Sequence, residues 1–360
     1  MRQATAGVDL GGTKIQAVIM SSGIVVGQSR HQTPKTDAAD VIAEIVASIR
    51  SALDTAGMEP SALRAVAIGT PGSVEVTTGH VSNARNVPGF VHDVALGPTV
   101  GAAFPGTPVI VDNDVRAAVM GEFRRGAGRR FNNLLGVFVG TGVGGGLILK
   151  GELHHGRGNT GEIGHTTVKP GGRRCGCTRL GCLEAYAGRL SIEQTARHRI
   201  EKGQKTKLFD IMQRKGRDRV TSSVIADALE QNDHLTIELI DEAVEALGLA
   251  LANAQNLLDL EAIIVGGGLG DRLGDPFVRR VEQAMARNLR FPESPPEVLG
   301  TELRDLSGAV GATVLIEERL IEERLIEERL IEERLIEERL TEERLIEERL
   351  IGEGNTEEQA

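Results

Sequence analysis

Two glycine-rich stretches carry the residue types that bind phosphate: Asp9-Leu10-Gly11-Gly12-Thr13-Lys14 and Gly140-Thr141-Gly142-Val143-Gly144-Gly145-Gly146. Either one alone reads as an ordinary tight hairpin, because glycine is the usual residue of such turns. As a pair they would aim backbone N–H groups and threonine hydroxyls at phosphates from two sides. Asp9 adds a carboxylate for a hydrated Mg²⁺, an ion that keeps several waters and takes only one or two carboxylates. Both turns lie between apolar strands, whereas a Walker loop or a dinucleotide fingerprint leads from a strand into a helix, so those two nucleotide folds are disfavoured.

A second set of acids follows the strand-like run Val109-Ile110-Val111, in Asp112-Asn113-Asp114-Val115-Arg116. An Asp entering a helix is by default an N-cap. Asp114 is also placed to take a proton from an attacking hydroxyl, with Asn113 holding the acceptor. The two roles exclude each other only if both Asp114 oxygens are spent on the helix. Further on, Glu162-Ile163-Gly164-His165 is followed by Cys175, Cys177, Cys182 and Glu184. One imidazole and three thiolates form a closed tetrahedral Zn²⁺ set, which is structural because no coordination position is left for substrate. Buried small hydrophobes or a redox pair are the plainer readings of the cysteines. The metal would fix the loop carrying Glu162 and Glu184, two carboxylates able to bond a polyhydroxy ligand. Each alone reads as a surface residue. His165 has a second ring nitrogen left for a ligand hydroxyl. His154 and His155 read as loop residues.

Positioning these groups requires an α/β framework. Ala6–Met20 and Leu135–Leu149 each read as strand, Gly turn, strand. A third turn, Gly266-Gly267-Gly268, follows the buried-strand run Ala262-Ile263-Ile264-Val265. Before it, Ile237, Ile240, Val244, Leu247, Leu251, Ala254 and Leu258 line one face of a long helix. Lys202–Arg219 is charged and weakly periodic, an exposed loop or short helix.

Composition narrows the function. The net charge is −10, and residues 315–360 hold 7 Arg and 17 Glu, so this tail carries the whole excess and the rest is neutral. Neither a basic face nor stacking aromatics (0 Trp, 1 Tyr) is available for nucleic acid. No apolar run reaches the roughly 18 residues of a membrane span, and the first residues lack the apolar core of a signal peptide, so the cytoplasm is the expected location. The three cysteines are no disulfide framework and suit a metal site in a reducing compartment. From Leu315 the chain repeats Leu-Ile-Glu-Glu-Arg seven times, with Thr341 replacing one Ile. Successive apolar pairs wander by roughly 140° around a helix, so no coiled-coil seam forms. A solvated helix or partly disordered extension is expected, with Arg319 meeting Glu322 and Glu323. A self-association handle is the alternative, excluded if a chain ending at Leu315 keeps its mass in solution.

Taken in order, these motifs resemble the ROK family of repressors, uncharacterised reading frames and sugar kinases, over about residues 6–314. Asp9–Lys14 is similar to its first phosphate loop, Gly140–Gly145 to its second, and Gly266–Gly268 to the turn facing adenosine. Glu162-x-x-His165 and Cys175-x-Cys177-x₄-Cys182-x-Glu184 resemble its sugar and zinc signature. The resemblance implies an actin-like, ribonuclease H-like two-lobed ATPase fold. Residues 1–113 would form a small lobe joined by about 301–314, residues 114–300 a large lobe with the zinc knuckle, and residues 315–360 a tail.

It implies, further, a glucokinase-like transfer of the γ-phosphoryl of Mg·ATP to a hexose, most simply glucose on its C6 hydroxyl, with Asp114 as general base. Asn86, Asn113, Asp114, Glu162, His165 and Glu184 would contact sugar. Asp9, Gly11, Gly12, Thr13, Lys14, Gly140, Thr141, Gly142, Gly144, Gly145, Gly267 and Gly268 would contact Mg·ATP. His165, Cys175, Cys177 and Cys182 would hold zinc. Mannose, N-acetylglucosamine, N-acetylmannosamine and fructose are alternative acceptors, and polyphosphate an alternative donor. A dimer or tetramer is implied.

Arg116 stands where the kinases often have Asn, Thr178 where Gly is usual, and Phe90 where Trp is common. A sugar-sensing regulator and an idle sugar-binding protein are the rivals. The family's repressors place a helix-turn-helix segment before the first hairpin, for which a hairpin starting at residue 9 is expected to leave no room.

Overall fold

The computed structural model describes residues 4–357; within the last helix, the side chains of Glu332, Glu338 and those from Leu340 onward lie outside the described set. The first half opens with strands β1 (Ala4–Leu10), β2 (Lys14–Ser21) and β3 (Ile24–Gln32), then helix α1 (Ala38–Ala56) and strand β4 (Leu63–Thr70). A small hairpin, β5 (Ser73–Glu75) and β6 (His80–Ser82), precedes α2 (Leu96–Ala103), β7 (Val109–Asn113) and α3 (Asp114–Arg125). The sheet order is β3-β2-β1-β4-β7. The hairpin strands are antiparallel, and β1, β4 and β7 run parallel. In α1, Val41, Ile45, Ile49 and Leu53 are buried at helical spacing, which seats the helix on the apolar face of the sheet.

The second half repeats this order. Strands β8 (Leu134–Val139), β9 (Val143–Leu149) and β10 (Glu152–Leu153) lead to α4 (Glu184–Ala187), α5 (Arg189–Glu201), α6 (Leu208–Arg214), α7 (Ser222–Glu230) and α8 (His234–Leu258). Then come β11 (Ala262–Gly266), α9 (Gly267–Ala286) and β12 (Glu297–Gly300). Its sheet order is β10-β9-β8-β11-β12, again a hairpin joined to parallel strands. Its core is a separate cluster built on α8, where Ile240, Val244, Leu247 and Leu251 are buried as the spacing predicted, while Ile237, Ala254 and Leu258 are only partly buried and Leu239, outside the predicted face, is fully buried.

Of the two alternatives for the charged interval Lys202–Arg219, the short helix is found: α6 buries Leu208, Ile211 and Met212. Gly266–Gly268 is not a free turn: Gly266 ends β11 and caps α9, whose first residue, Gly267, has φ 82°.

The last helix, α10 (Ser307–Glu357), begins against the first half. A Cβ on Gly311 would lie 1.6 Å from the Ala117 carbonyl oxygen, and one on Gly121 2.4 Å from that of Ser307. Only glycine permits α3 and the start of α10 to approach so closely. Fully buried Glu122 ties the same joint: Oε1 accepts from Leu303 N–H (2.9 Å) and Ser307 Oγ (2.7 Å), and Oε2 from the N–H groups of Ala127 and Glu302 (3.0 Å each). Residues 1–314 and 315–360 form two compact units. In the second, the repeats are helical, with ion pairs Arg319–Glu323 (3.0 Å) and Arg324–Glu328 (2.8 Å). Its Ile321, Leu325, Ile326 and Leu330 are each more than half exposed. No described helix is long and apolar enough to cross a membrane.

Candidate active site

The parallel strands of the first sheet deliver the acids to one edge. Asp9 on β1 is in register with Gly69 on β4, and Gly69 with Asp112 on β7, so the three share a row at the carboxyl ends of their strands. In open α/β sheets, that edge is where ligands bind. Gly69 leaves the row open: a Cβ there would stand 3.3 Å from Asp114 Cα. Gly11, Gly12 and Thr13 form the β1–β2 turn, closed by Gly11 N–H donating to the Lys14 carbonyl at 2.9 Å. Asn86 lies against this loop, its carbonyl oxygen 2.3 Å from where a Cβ on Gly12 would be. Lys14 opens β2, and its Nζ pairs with Asp305 at 2.9 Å rather than standing free. Burial pushes the Asp9 carboxyl up to about 6, with Lys14 opposing and Asp305 adding to the rise.

Helix α3 begins at Asp114. Asn113, not Asp114, is the N-cap: its Oδ1 accepts from the N–H groups of Val115 (3.0 Å) and Arg116 (3.2 Å). Asp114 Oδ1 accepts from Val115 N–H at 2.9 Å, which leaves Oδ2 for a ligand. Desolvation raises the Asp114 pKa to about 7; the Asp9 charge adds to this, while the Val115 N–H and Arg116 oppose it. Arg116 reaches back to buried Asp112, Nε to Oδ1 at 2.8 Å, and its Nη1 donates to the Gly158 carbonyl at 3.2 Å. The cation that replaces a small amide therefore ties α3 to the loop leading to Glu162.

The second Gly turn joins β8 to β9, with Gly140 N–H donating to the Gly142 carbonyl at 2.8 Å. Gly144 and Gly145, placed in the loop by sequence, lie within β9. Glu184 opens α4, and its Oε2 accepts from Val143 N–H at 3.1 Å, which fastens the knuckle to this turn. Glu162, whose side chain is 65% exposed, precedes a single 3₁₀ turn, Ile163–His165, that ends on His165, with His165 Nε2 3.9 Å from Glu162 Oε2.

The other imidazole nitrogen, Nδ1, faces Cys175 Sγ at 3.6 Å, and Cys177 and Cys182 Sγ are also 3.6 Å apart. All four ligand atoms of His165, Cys175, Cys177 and Cys182 lie within 4.8 Å of one another. Zn–S bonds of about 2.3 Å in a tetrahedron imply sulfur–sulfur edges of about 3.8 Å, close to the 3.6 Å separations of these two pairs, so the donor set is of a kind and spacing that suits zinc. Thr178 adopts φ 75° in the tight turn between Cys175 and Arg179, the left-handed conformation glycine favours. Phe90 is fully buried in the first core.

Sequence reasoning missed Glu122, Asp305 and Arg189. Each acts on residues far away along the chain, and no local pattern marks it.

Two repeated α/β halves, each bringing a Gly hairpin to the strand ends, define an actin-like ATPase fold. A structural likeness supports this: the ROK family glucokinase from Streptomyces griseus in complex with glucose and AMPPNP is similar at a TM-score of 0.73 and 32% identity, over 87% of this chain and 98% of that one. Residues 5–319 match the ROK family. A glucokinase of Halalkalibacterium halodurans is 34% identical over 322 residues, 87% of this chain and 94% of the relative. An N-acetylmannosamine kinase of Yersinia pestis is 30% identical over 282 residues, 77% of this chain and 86% of the relative. This chain belongs to the ROK family.

Proposed function

We propose that this chain is an ATP-dependent sugar kinase that transfers the γ-phosphoryl of Mg·ATP to a hexose, glucose to glucose 6-phosphate being the leading reaction. It is a phosphotransferase of hexokinase type, like its glucokinase relatives. The observation that carries this reading is Asp114: one oxygen is held by the helix, the other is unengaged, and its pKa is near neutrality beside Asp9. In the reaction the sugar hydroxyl gives its proton to Asp114 Oδ2 as its oxygen attacks the γ-phosphorus. ADP leaves with the bridging oxygen, and loop N–H groups stabilise the charge on the phosphoryl oxygens.

Sugar contacts are assigned to Asn86, Asn113, Glu162, His165 and Glu184. Asn113 has only its Nδ2 left to offer, since its Oδ1 caps α3. Asp9, which forms no ion pair among the described residues, would hold Mg²⁺ through water; when bound, the ion neutralises phosphate charge. The Cys₃His set would hold a structural zinc that stiffens the loop carrying Glu162 and Glu184. Lobes at 1–113 and 114–300, a cytoplasmic location and a homo-oligomer belong to the same proposal. Mannose, fructose and the N-acetylated hexosamines are the competing acceptors, and the N-acetylmannosamine kinase relative keeps that acceptor in play.

The test is ADP release coupled to detection of sugar phosphate, with Mg·ATP, a panel of these sugars and Asp114→Asn as control. Turnover on one sugar that disappears in the variant supports both reaction and base. Sugar binding without turnover on any member of the panel would point instead to a sensor or a non-catalytic sugar-binding protein.

A further inference from the structure

The second phosphate turn is flanked by a cation that the reaction as described leaves unused. Arg189 begins α5, and its own N–H and that of Leu190 donate to the Gly140 and Thr141 carbonyls, both at 3.1 Å. Its guanidinium crosses the turn: Nη2 donates to Thr141 Oγ1 at 2.9 Å and Nη1 to Ser222 Oγ at 3.2 Å. A Cβ on Gly268 would lie 3.6 Å from Ser222 Oγ and 3.8 Å from Arg189 Nη1. One guanidinium thus joins the phosphate turn to the start of α7 and lies beside the start of α9.

Its electrostatic surroundings are incomplete. Both side-chain partners are neutral hydroxyls, and Arg189 forms no ion pair among the described residues. The nearest carboxylate influence is Glu193, whose oxygens are taken by Arg197 (3.1 Å to Nε) and the Val220 N–H (2.9 Å). Arg219 adds a like charge, and desolvation lowers the Arg189 pKa. A partly buried guanidinium without an anion is unfavourable, and its planar fork matches phosphate oxygens.

We infer that Arg189 is a donor-binding residue: a phosphate of the nucleotide completes its charge balance, and its bond to Thr141 Oγ1 turns the threonine O–H toward that phosphate. An oxygen that accepts from Arg189 directs its own hydrogen away from the guanidinium, which leaves the Thr141 O–H, in the turn between β8 and β9, free to donate to a ligand. This inference rests on the sugar-kinase reading and deepens it by adding a residue that serves the donor and not the acceptor.

The experiment compares wild type, Arg189→Ala, Arg189→Gln and Arg189→Lys in steady-state kinetics and in calorimetric titration with Mg·AMPPNP. The alanine variant should raise KM for ATP and Kd for AMPPNP by about tenfold or more, the size of a lost charged hydrogen bond, while KM for glucose changes by less than about twofold. Lysine should restore donor affinity better than glutamine, since a phosphate needs the charge whereas a neutral strut does not. If the alanine variant does not fold, the glutamine and lysine variants carry the comparison. Donor affinity within about twofold of wild type, a parallel rise in both KM values, or equal rescue by glutamine and lysine overturns the inference while wild-type turnover keeps the kinase reading. A wild-type protein that neither turns over nor binds AMPPNP overturns both.

Discussion

In the proposed reaction Asp114 would act as a base only when ionised, and its raised pKa sets where that happens. With the carboxyl near 7, kcat/KM should fall as pH drops below about 7 and level off above it. Asp114→Asn should abolish that acid limb and cut kcat by roughly 10²–10⁴-fold, with sugar affinity nearly unchanged. The same shift affects stability with a definite sign. Between the ordinary aspartate value of 3.8 and about 7 the folded chain keeps a proton that the unfolded chain has lost, so stability declines as pH rises through that window. The asparagine variant should therefore gain more in Tm over wild type at pH 8 than at pH 4, and equal gains at both would show that the carboxyl is not raised.

Thr178 concerns the knuckle. Its φ of 75° is costly for a β-branched residue, by about 1–2 kcal/mol. Thr178→Gly should raise unfolding stability by about 1 kcal/mol, after glycine's own entropy cost is subtracted, with zinc content unchanged in metal analysis.

At the scale of elements, α3 is held at both ends by charge. Arg116 and Asp112 form an ion pair in which both side chains are nearly buried, at 11% and 7% exposure. Arg116→Ala leaves that carboxylate stranded and should cost about 3–5 kcal/mol in denaturant unfolding. Adding Asp112→Asn should recover much of the loss; an additive double variant would mean the two side chains do not act as a pair.

The knuckle links the two functional turns: Glu184 fastens it to Val143, and His165 spans from Cys175 to Glu162. Cys177→Ser should release the metal and weaken sugar binding before ATP binding, because Glu162 and His165 lose their anchor first. Wild-type protein free of zinc by elemental analysis would remove the basis for that order.

The whole molecule is a neutral body carrying an acidic repeat. Residues 1–314 and 315–360 are separate compact units, and the family match ends at residue 319. A chain ending at Arg319 should keep wild-type kcat and KM, and its mass by light scattering should fall only by that of the missing residues. A drop from a higher to a lower oligomer would instead make the repeat an assembly element. The repeat's i, i+4 Arg–Glu pairs are exposed and contribute little each, so its helicity should decline with added salt in circular dichroism.

Local spacing was enough to place both Gly hairpins between strands, much of the α8 face, the Asp112–Asp114 entry into α3 and the grouping of His165, Cys175, Cys177 and Cys182. These signals are short-range: strand period, helix period, turn residues and ligand spacing act within a few residues of one another. The same locality explains the misreadings. A cap is decided by backbone geometry, which moved that role from Asp114 to Asn113, and pairing with β8 carries a strand through consecutive glycines, which placed Gly144 and Gly145 in β9.

Tertiary structure alone paired Lys14 with Asp305, 291 residues away, set Arg189 on Thr141 across 48, and closed Glu122 on Leu303 across 181. Such partners are brought together by sheet register and by close helix approach at Gly121 and Gly311. Charge balance in a low-dielectric interior depends on distance in space and not along the chain, so which cations are spent and which remain for a ligand was decided by the fold.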